Sequence, residues 1–201
     1  MDARQRRSRA KLFAAVLELA ADRRAEDLSV TEVSRRAGVH RSTFYEHADS
    51  PAALLREALQ AELDEVRERY LTHLDDGSLP DALRDVTLAV LVHVQQHAQI
   101  YRQGLAEGGA IHDFLSGHFQ GSAWMLLAQG FLEPPVIAGV PHATIEEASL
   151  RYVANGTVGA IAVWLEDPGA PEVFLPVVAA LLPQWWHMAP RAGVASSPED
   201  Q

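Results

Sequence analysis

Thr31-Glu32-Val33-Ser34-Arg35-Arg36-Ala37-Gly38-Val39-His40-Arg41-Ser42-Thr43-Phe44-Tyr45-Glu46-His47-Ala48 is the stretch that decides the fold. Just before it stands a helix-start signal. Ser29 can cap the amide of Glu32 while the Glu32 carboxylate reaches back to Ser29, and Leu28 can staple onto Val33. Gly38 follows Ala37 after about two helical turns and suits a chain reversal, so the helix is short. A second short helix is expected at about 41–47. Helix, glycine-containing turn and short helix are the parts of a helix-turn-helix. The second helix of such a unit enters the major groove, with polar side chains outward and apolar ones inward. Phe44 can point into a core set by Val33, Ala37 and Val39, which leaves Arg41, Ser42 and Thr43 on the outer N-terminal turn. Arg41 can hold guanine O6 and N7 with two hydrogen bonds, while Ser42 and Thr43 can bond phosphate as readily as a base.

Outward from this stretch the charge divides. The 201-residue chain carries a net −10, yet residues 1–56 hold eleven Lys/Arg against eight Asp/Glu, a net +3, and residues 57–201 hold six against nineteen, a net −13. The asymmetry fits a DNA-facing end and a body that DNA repels; an acidic body kept soluble by its charge explains the −13 equally well. The chain has no cysteine, which excludes disulfides, thiolate zinc sites and thiol redox sensing. No apolar run approaches the roughly 18 residues of a membrane span, and no signal peptide is evident, so a cytoplasmic protein is expected.

Periodicity is helical almost throughout, and the expected fold is all-α: an N-terminal three-helix unit carrying the helix-turn-helix (1–49), a larger helical body (50–189) and a disordered tail (190–201). A first amphipathic helix is expected over about 8–24, carried by Leu12, Phe13, Val16, Leu17 and Ala20. Ser50 caps a fourth helix with Pro51 at its first position, continuing towards Leu74. Asp75-Asp76-Gly77-Ser78 ends it, and Pro80 opens a fifth whose stripe Leu83, Val90 and Val94 runs on to His97 and Tyr101. Gly108-Gly109 is the next break. Helices are expected over 111–128, 145–166 and 172–187, with a Pro/Gly-rich loop over 133–144.

The segment from Thr31 to Ala48, followed by an N-capped helix beginning Ser50-Pro51-Ala52-Ala53-Leu54-Leu55, resembles the DNA-binding domain of the TetR family of regulators. The matched core is Ala37-Gly38-Val39, Thr43-Phe44-Tyr45 and His47. The resemblance implies that Thr43, Tyr45 and His47 mostly hold phosphates, that Arg41 and Ser42 read bases and that Thr31 touches the backbone. It also implies a homodimer on double-stranded operator DNA, a small-molecule effector and, by family expectation, a repressor that releases a palindromic operator when the effector binds. Three positions depart from the family pattern: His40 stands where a capping Ser or Thr is usual, Ala48 where an aromatic is usual, and Pro51 where a lysine is frequent. The basic residues Arg4, Arg6, Arg7 and Arg9 are expected as an arm that compensates along the duplex or as a solvated tail.

In the body, Tyr152, Gly156, Gly159 and Val163 share one helical face, small enough for close approach of a second helix. Phe174, Val178, Leu181 and Trp185 line the next helix, and Val173, Val177, Leu182 and Trp186 give it a second apolar side, so it needs two neighbours. The resemblance puts these last helices in a dimer interface, with Tyr152, Gly156, Gly159, Val163, Phe174, Val178, Leu181 and Trp185 as its expected residues. His93, His97, Tyr101, His112, Phe119, Trp124, Asn155 and Trp164 are the candidates for a buried polar-aromatic effector site; singly, each also reads as a satisfied core residue. His93 and His97 at i, i+4 match metal-ligand spacing, with His112 or His118 as third ligand, which makes a metal-responsive regulator one alternative. A helical interaction protein that binds no DNA is the other. No phosphate-cradling loop, nucleophile elbow or zinc-protease motif is found, so neither an enzyme nor a cofactor is expected.

Overall fold

The computed structural model describes residues 3–72, 74, 79–106 and 109–186. Among these the chain is all-α: α1 Ala3–Ala20, α2 Val30–Ala37, α3 Arg41–Tyr45, α4 Pro51–Leu71, α5 Leu79–Gln96, α6 Ala98–Ala106, α7 Ala110–Ala128, α8 His142–Trp164 and α9 Pro171–Leu181, with short 3-10 turns at Ala25–Asp27 and Gln184–Trp186. The expected break at 75–78, Gly108, the expected helix end at His187 and the tail 190–201 lie outside the described residues.

Several boundaries differ from expectation; α8, for one, begins at His142, inside the expected loop. α1 begins at Ala3, because 3–12 contains no glycine or proline and is rich in Ala, Arg, Gln and Lys, all good helix formers. The basic residues of the expected arm therefore ride on a helix. The fifth helix is interrupted at His97, so Tyr101 belongs to α6 and not to the α5 stripe; no glycine or proline in the local sequence explains the interruption. α9 stops at Leu181, short of the expected end. Pro183 drives the residue before it out of helical conformation, and Leu182 sits at φ −70°, ψ 140°.

One buried cluster joins the N-terminal helix-turn-helix unit to the body. It runs from Leu12, Val33 and Phe44 through Leu54, Leu55, Ala58, Leu59 and Leu63 of α4 to Leu91, Leu115, Ile161 and Trp164. α4 contributes its apolar face to both ends of this core, which is what ties the helix-turn-helix to the rest of the chain. A smaller cluster closes the far end with Leu71, Ala123, Leu126, Phe131, Leu132 and Leu150.

Candidate functional site

The helix-turn-helix is assembled by the local signals. The Ser29 hydroxyl accepts from the Glu32 amide at 3.2 Å, and Glu32 Oε2 accepts from the Ser29 amide at 2.9 Å. Glu32 also takes a 2.5 Å bond from Arg23. With that bond first and the Ser29 amide second, its pKa is lowered from 4.5 to about 2. Gly38 closes α2 at φ 64°, ψ 38°, its amide bonding back to the Arg35 carbonyl; this left-handed conformation favours glycine. Arg36 pairs with Glu18, fastening α2 to α1.

That frame fixes what α3 presents. Phe44 is wholly buried and anchors the helix. Arg41 and Ser42 are exposed, Thr43 is half-buried, and Tyr45 is 53% exposed, set edge-on to Phe44 with ring centroids 5.7 Å apart. Thr31 is exposed at the start of α2. His47 lies just beyond α3, which ends at Tyr45 and not at 47 as expected. It is half-buried with Nε2 enclosed and unpartnered, leaving Nδ1 for any outside acceptor. His40 makes no side-chain cap, as its departure from the pattern suggested. Ala48 is buried, and Ser50 caps α4 at the Ala53 amide behind Pro51. On α1, Arg4, Arg6 and Arg7 are exposed, while Arg9 stands 4.0 Å from Glu57 and 4.7 Å over the Phe13 ring.

The eight residues expected to share an effector site are scattered. Phe119 alone of them lines the half-open apolar cavity between α5, α7, α8 and α9, with His118, Val90, Leu126, Ile161 and Val178 among its walls. Its open volume is about 90 Å³. Thr87, Ser122 and Thr157 also face it, each hydroxyl donating to the carbonyl four residues back, at 2.7, 3.0 and 2.8 Å. Each keeps lone pairs to accept from a ligand. These hydroxyls escaped sequence reasoning because Ser and Thr on a helix give no periodic signal. Trp124 is 49% exposed and lines no part of it. Trp164 is buried, stacked on Phe174 at 5.4 Å with Nε1 unpartnered. His112 sits beside Asp113 at 3.3 Å near the surface, and Asn155 bonds Ser116 and the Arg151 carbonyl on the exposed side of α8.

His93, His97 and Tyr101 do come together, around a residue that spacing did not reveal. Glu62 of α4 stands with Oε2 at 2.7 Å from His97 Nε2 and 3.2 Å from His93 Nδ1. His93 Nε2 meets the Tyr101 hydroxyl at 2.8 Å, and Tyr101 is fully buried. Burial, then the neighbouring His97 and His118, lowers the His93 pKa to about 3. With that ring neutral, His93 and Glu62 are in close contact and not an ion pair. The third group beside the two histidines is Glu62; neither His112 nor His118 takes that place.

The last two helices also differ from expectation. Tyr152, Gly156, Gly159 and Val163 of α8 are exposed. On α9, however, Phe174 packs inward on Trp164 and Val178 is buried, whereas Val173, Val177 and Leu181 point outward. Of the α9 residues expected at the dimer interface, Phe174 and Val178 thus face the chain's own core, and Leu181 is exposed. Trp185 lies beyond α9, in the 3-10 turn against Trp186.

Among the described residues no helix is long and apolar enough to cross a membrane. No family model and no curated protein matches this sequence. Solved structures do match in shape. The dihydroxyacetone kinase operon activator DhaS superposes with a TM-score of 0.63 at 13% identity, over 87% of this chain and 93% of its own. A TetR-family transcriptional regulator from Streptomyces coelicolor gives 0.62 at 20% identity, over 90% and 80%. RolR in complex with resorcinol gives 0.55 at 16% identity, over 89% of each chain. The likeness establishes the fold as that of TetR-family regulators.

Proposed function

We propose that the chain is a ligand-responsive, DNA-binding transcription regulator that works as a homodimer, with reader 1–49 and body 50–189. One observation carries this reading: in a TetR-like fold, α3 is anchored by buried Phe44 and turns Arg41, Ser42 and Tyr45 to solvent. Arg41 reads a guanine, and Ser42 reads a base edge beside it; Thr31, Thr43, Tyr45 and His47 hold phosphates. The exposed arginines of α1 add backbone contacts that compensate for Pro51 at the start of α4. The pairing surface is the exposed face of α8 and α9, and two-fold symmetry sets paired half-sites about 34 Å apart.

The effector enters the α5–α7–α8–α9 cavity. At about 90 Å³ the space is smaller than the roughly 150 Å³ that holds benzene. A ligand must therefore part those helices, and Leu71 at the end of α4 lies in the same wall. Displacing α4 moves the reader through the shared core, so the ligand acts by preferring one helix arrangement over the other. An apolar body with one or two hydrogen-bond donors suits three hydroxyls that can accept; RolR's resorcinol has that character. The fold serves activators such as DhaS as well, and release of a repressed operator is the version proposed here.

The test is fluorescence anisotropy of the chain with DNA from upstream of its own coding region, across a salt series. Salt-sensitive binding lost in Arg41→Ala with Tyr45→Phe is expected. Binding unchanged in that double variant would remove α3 from the account and favour a helical interaction module.

A further inference from the structure

Glu62, His93 and His97 form a constellation that the DNA-reading function does not use. We propose that it is a divalent-cation site of the zinc class, with Glu62 Oε2, His93 Nδ1 and His97 Nε2 as ligands. Among the described residues this is the one group of three whose donor atoms all lie within 4.8 Å of one another. Bonds of about 2.0–2.2 Å at tetrahedral angles place ligand atoms about 3.4 Å apart. The His93–Glu62 separation of 3.2 Å is already close to that value, and the 2.7 Å His97–Glu62 pair has only to open slightly. Glu62 is 41% exposed and free to make that movement.

The backbone and the second layer of contacts support the same arrangement. His93 and His97 stay in helical register across the α5–α6 break, because the His97 amide still bonds the His93 carbonyl at 3.2 Å. Their rings sit 4.9 Å apart at 63°, so both nitrogens approach one carboxylate oxygen from different directions. The Tyr101 hydroxyl oxygen, buried behind them, accepts a hydrogen bond from His93 Nε2–H when Nδ1 turns its lone pair to a metal. Metal-bound histidines commonly have such a partner on the second nitrogen, which fixes tautomer and ring orientation. The opposite side opens on a surface groove lined by Glu65, Asp85 and Gln96, which leaves a fourth position for water or an outside ligand. Two imidazoles and one carboxylate suit zinc, and also cobalt and nickel, better than magnesium or calcium.

The consequence is a clamp between α4 and the α5–α6 junction. The test uses the full-length, tag-free chain stripped with chelator, titrated with ZnCl2 by calorimetry and with CoCl2 by visible absorption. One ion per chain is expected, with intense cobalt bands of low coordination number. Glu62→Gln and His97→Gln each lower the zinc affinity at least tenfold while circular dichroism stays helical, and Tyr101→Phe weakens it about tenfold through His93 orientation. Retention of full affinity in both Glu62→Gln and His97→Gln would place the ion on other histidines and overturn the assignment. Absence of cobalt bands with the native chain would overturn it without any variant.

Discussion

Ser29 and Glu32 cap each other at the start of α2, the hydroxyl taking the Glu32 amide at 3.2 Å and the carboxylate returning to the Ser29 amide at 2.9 Å. Losing the hydroxyl in Ser29→Ala costs about 1 kcal/mol, read from urea midpoints. Glu32 adds a sign to this. Its pKa is lowered from 4.5 to about 2, so its contribution is complete above pH 4.5 and is lost as pH falls towards 2. Glu32→Gln flattens the stability curve in that window; an unchanged slope would show that the Arg23 and Ser29 contacts do not hold in solution.

Gly104 and Gly117 respond oppositely to the same change. A Cβ at Gly104 on α6 falls 2.4 Å from Ile111 Cγ1 and 2.6 Å from its Cβ, on the α7 side of the crossing, whereas nothing lies within 4 Å at Gly117 on α7. Gly117→Ala raises stability by about 0.5–1 kcal/mol through helix propensity. Gly104→Ala lowers it by roughly 1–3 kcal/mol, because overpacking a branched side chain outweighs that gain. Equal shifts in thermal midpoint for the two would contradict the close α6–α7 approach.

On α9, the exposed and buried faces separate assembly from folding. Leu181 is 64% exposed in the single chain, so Leu181→Glu leaves monomer stability within about 0.5 kcal/mol. If the α8–α9 face pairs, light scattering then falls from twice the 22.0 kDa chain mass to that mass. Phe174→Ala instead removes the ring stacked on Trp164 and costs about 3 kcal/mol in the chain itself. A native chain that scatters as a monomer removes the pairing surface from the proposed function.

His118 makes the body acid-sensitive. Burial first, and the Arg67 guanidinium second, lower its pKa from 6.5 to about 4, against a smaller opposing pull from Asp64. Its Nδ1 is enclosed and unpartnered, 3.8 Å from Asp64 and too far for a hydrogen bond. The unfolded chain takes this proton first, so stability falls as pH drops from 6.5 towards 4, by on the order of 3 kcal/mol. His118→Asn removes about half of the slope between pH 6.5 and 4 in chemical unfolding at matched pH, because buried His93, lowered to about 3, adds a comparable slope there; retention of the full slope would assign it to other groups.

The helix-turn-helix was legible because its signals are local. A capping serine, a glutamate three residues on and a glycine at the reversal act over a few bonds, and α2 and its cap follow from them. α1 ran further than its apolar stripe suggested because basic helix formers precede it, and α9 stopped sooner because Pro183 governs Leu182.

What only the tertiary structure decided depends on which surfaces meet. Periodicity told that α9 has two apolar sides but not which one faces Trp164, since both satisfy the same spacing. His93 and His97 were visible as an i, i+4 pair, yet Glu62 lies 35 positions from His97 and reaches it only because α4 and α5 pack together. The cavity hydroxyls of Thr87, Ser122 and Thr157 likewise converge from three helices. The sequence by itself determined an all-α chain with a helix-turn-helix near its start, because caps, turns and helical period are short-range. Long-range packing chose the side chains that share a cavity, a carboxylate or an open face.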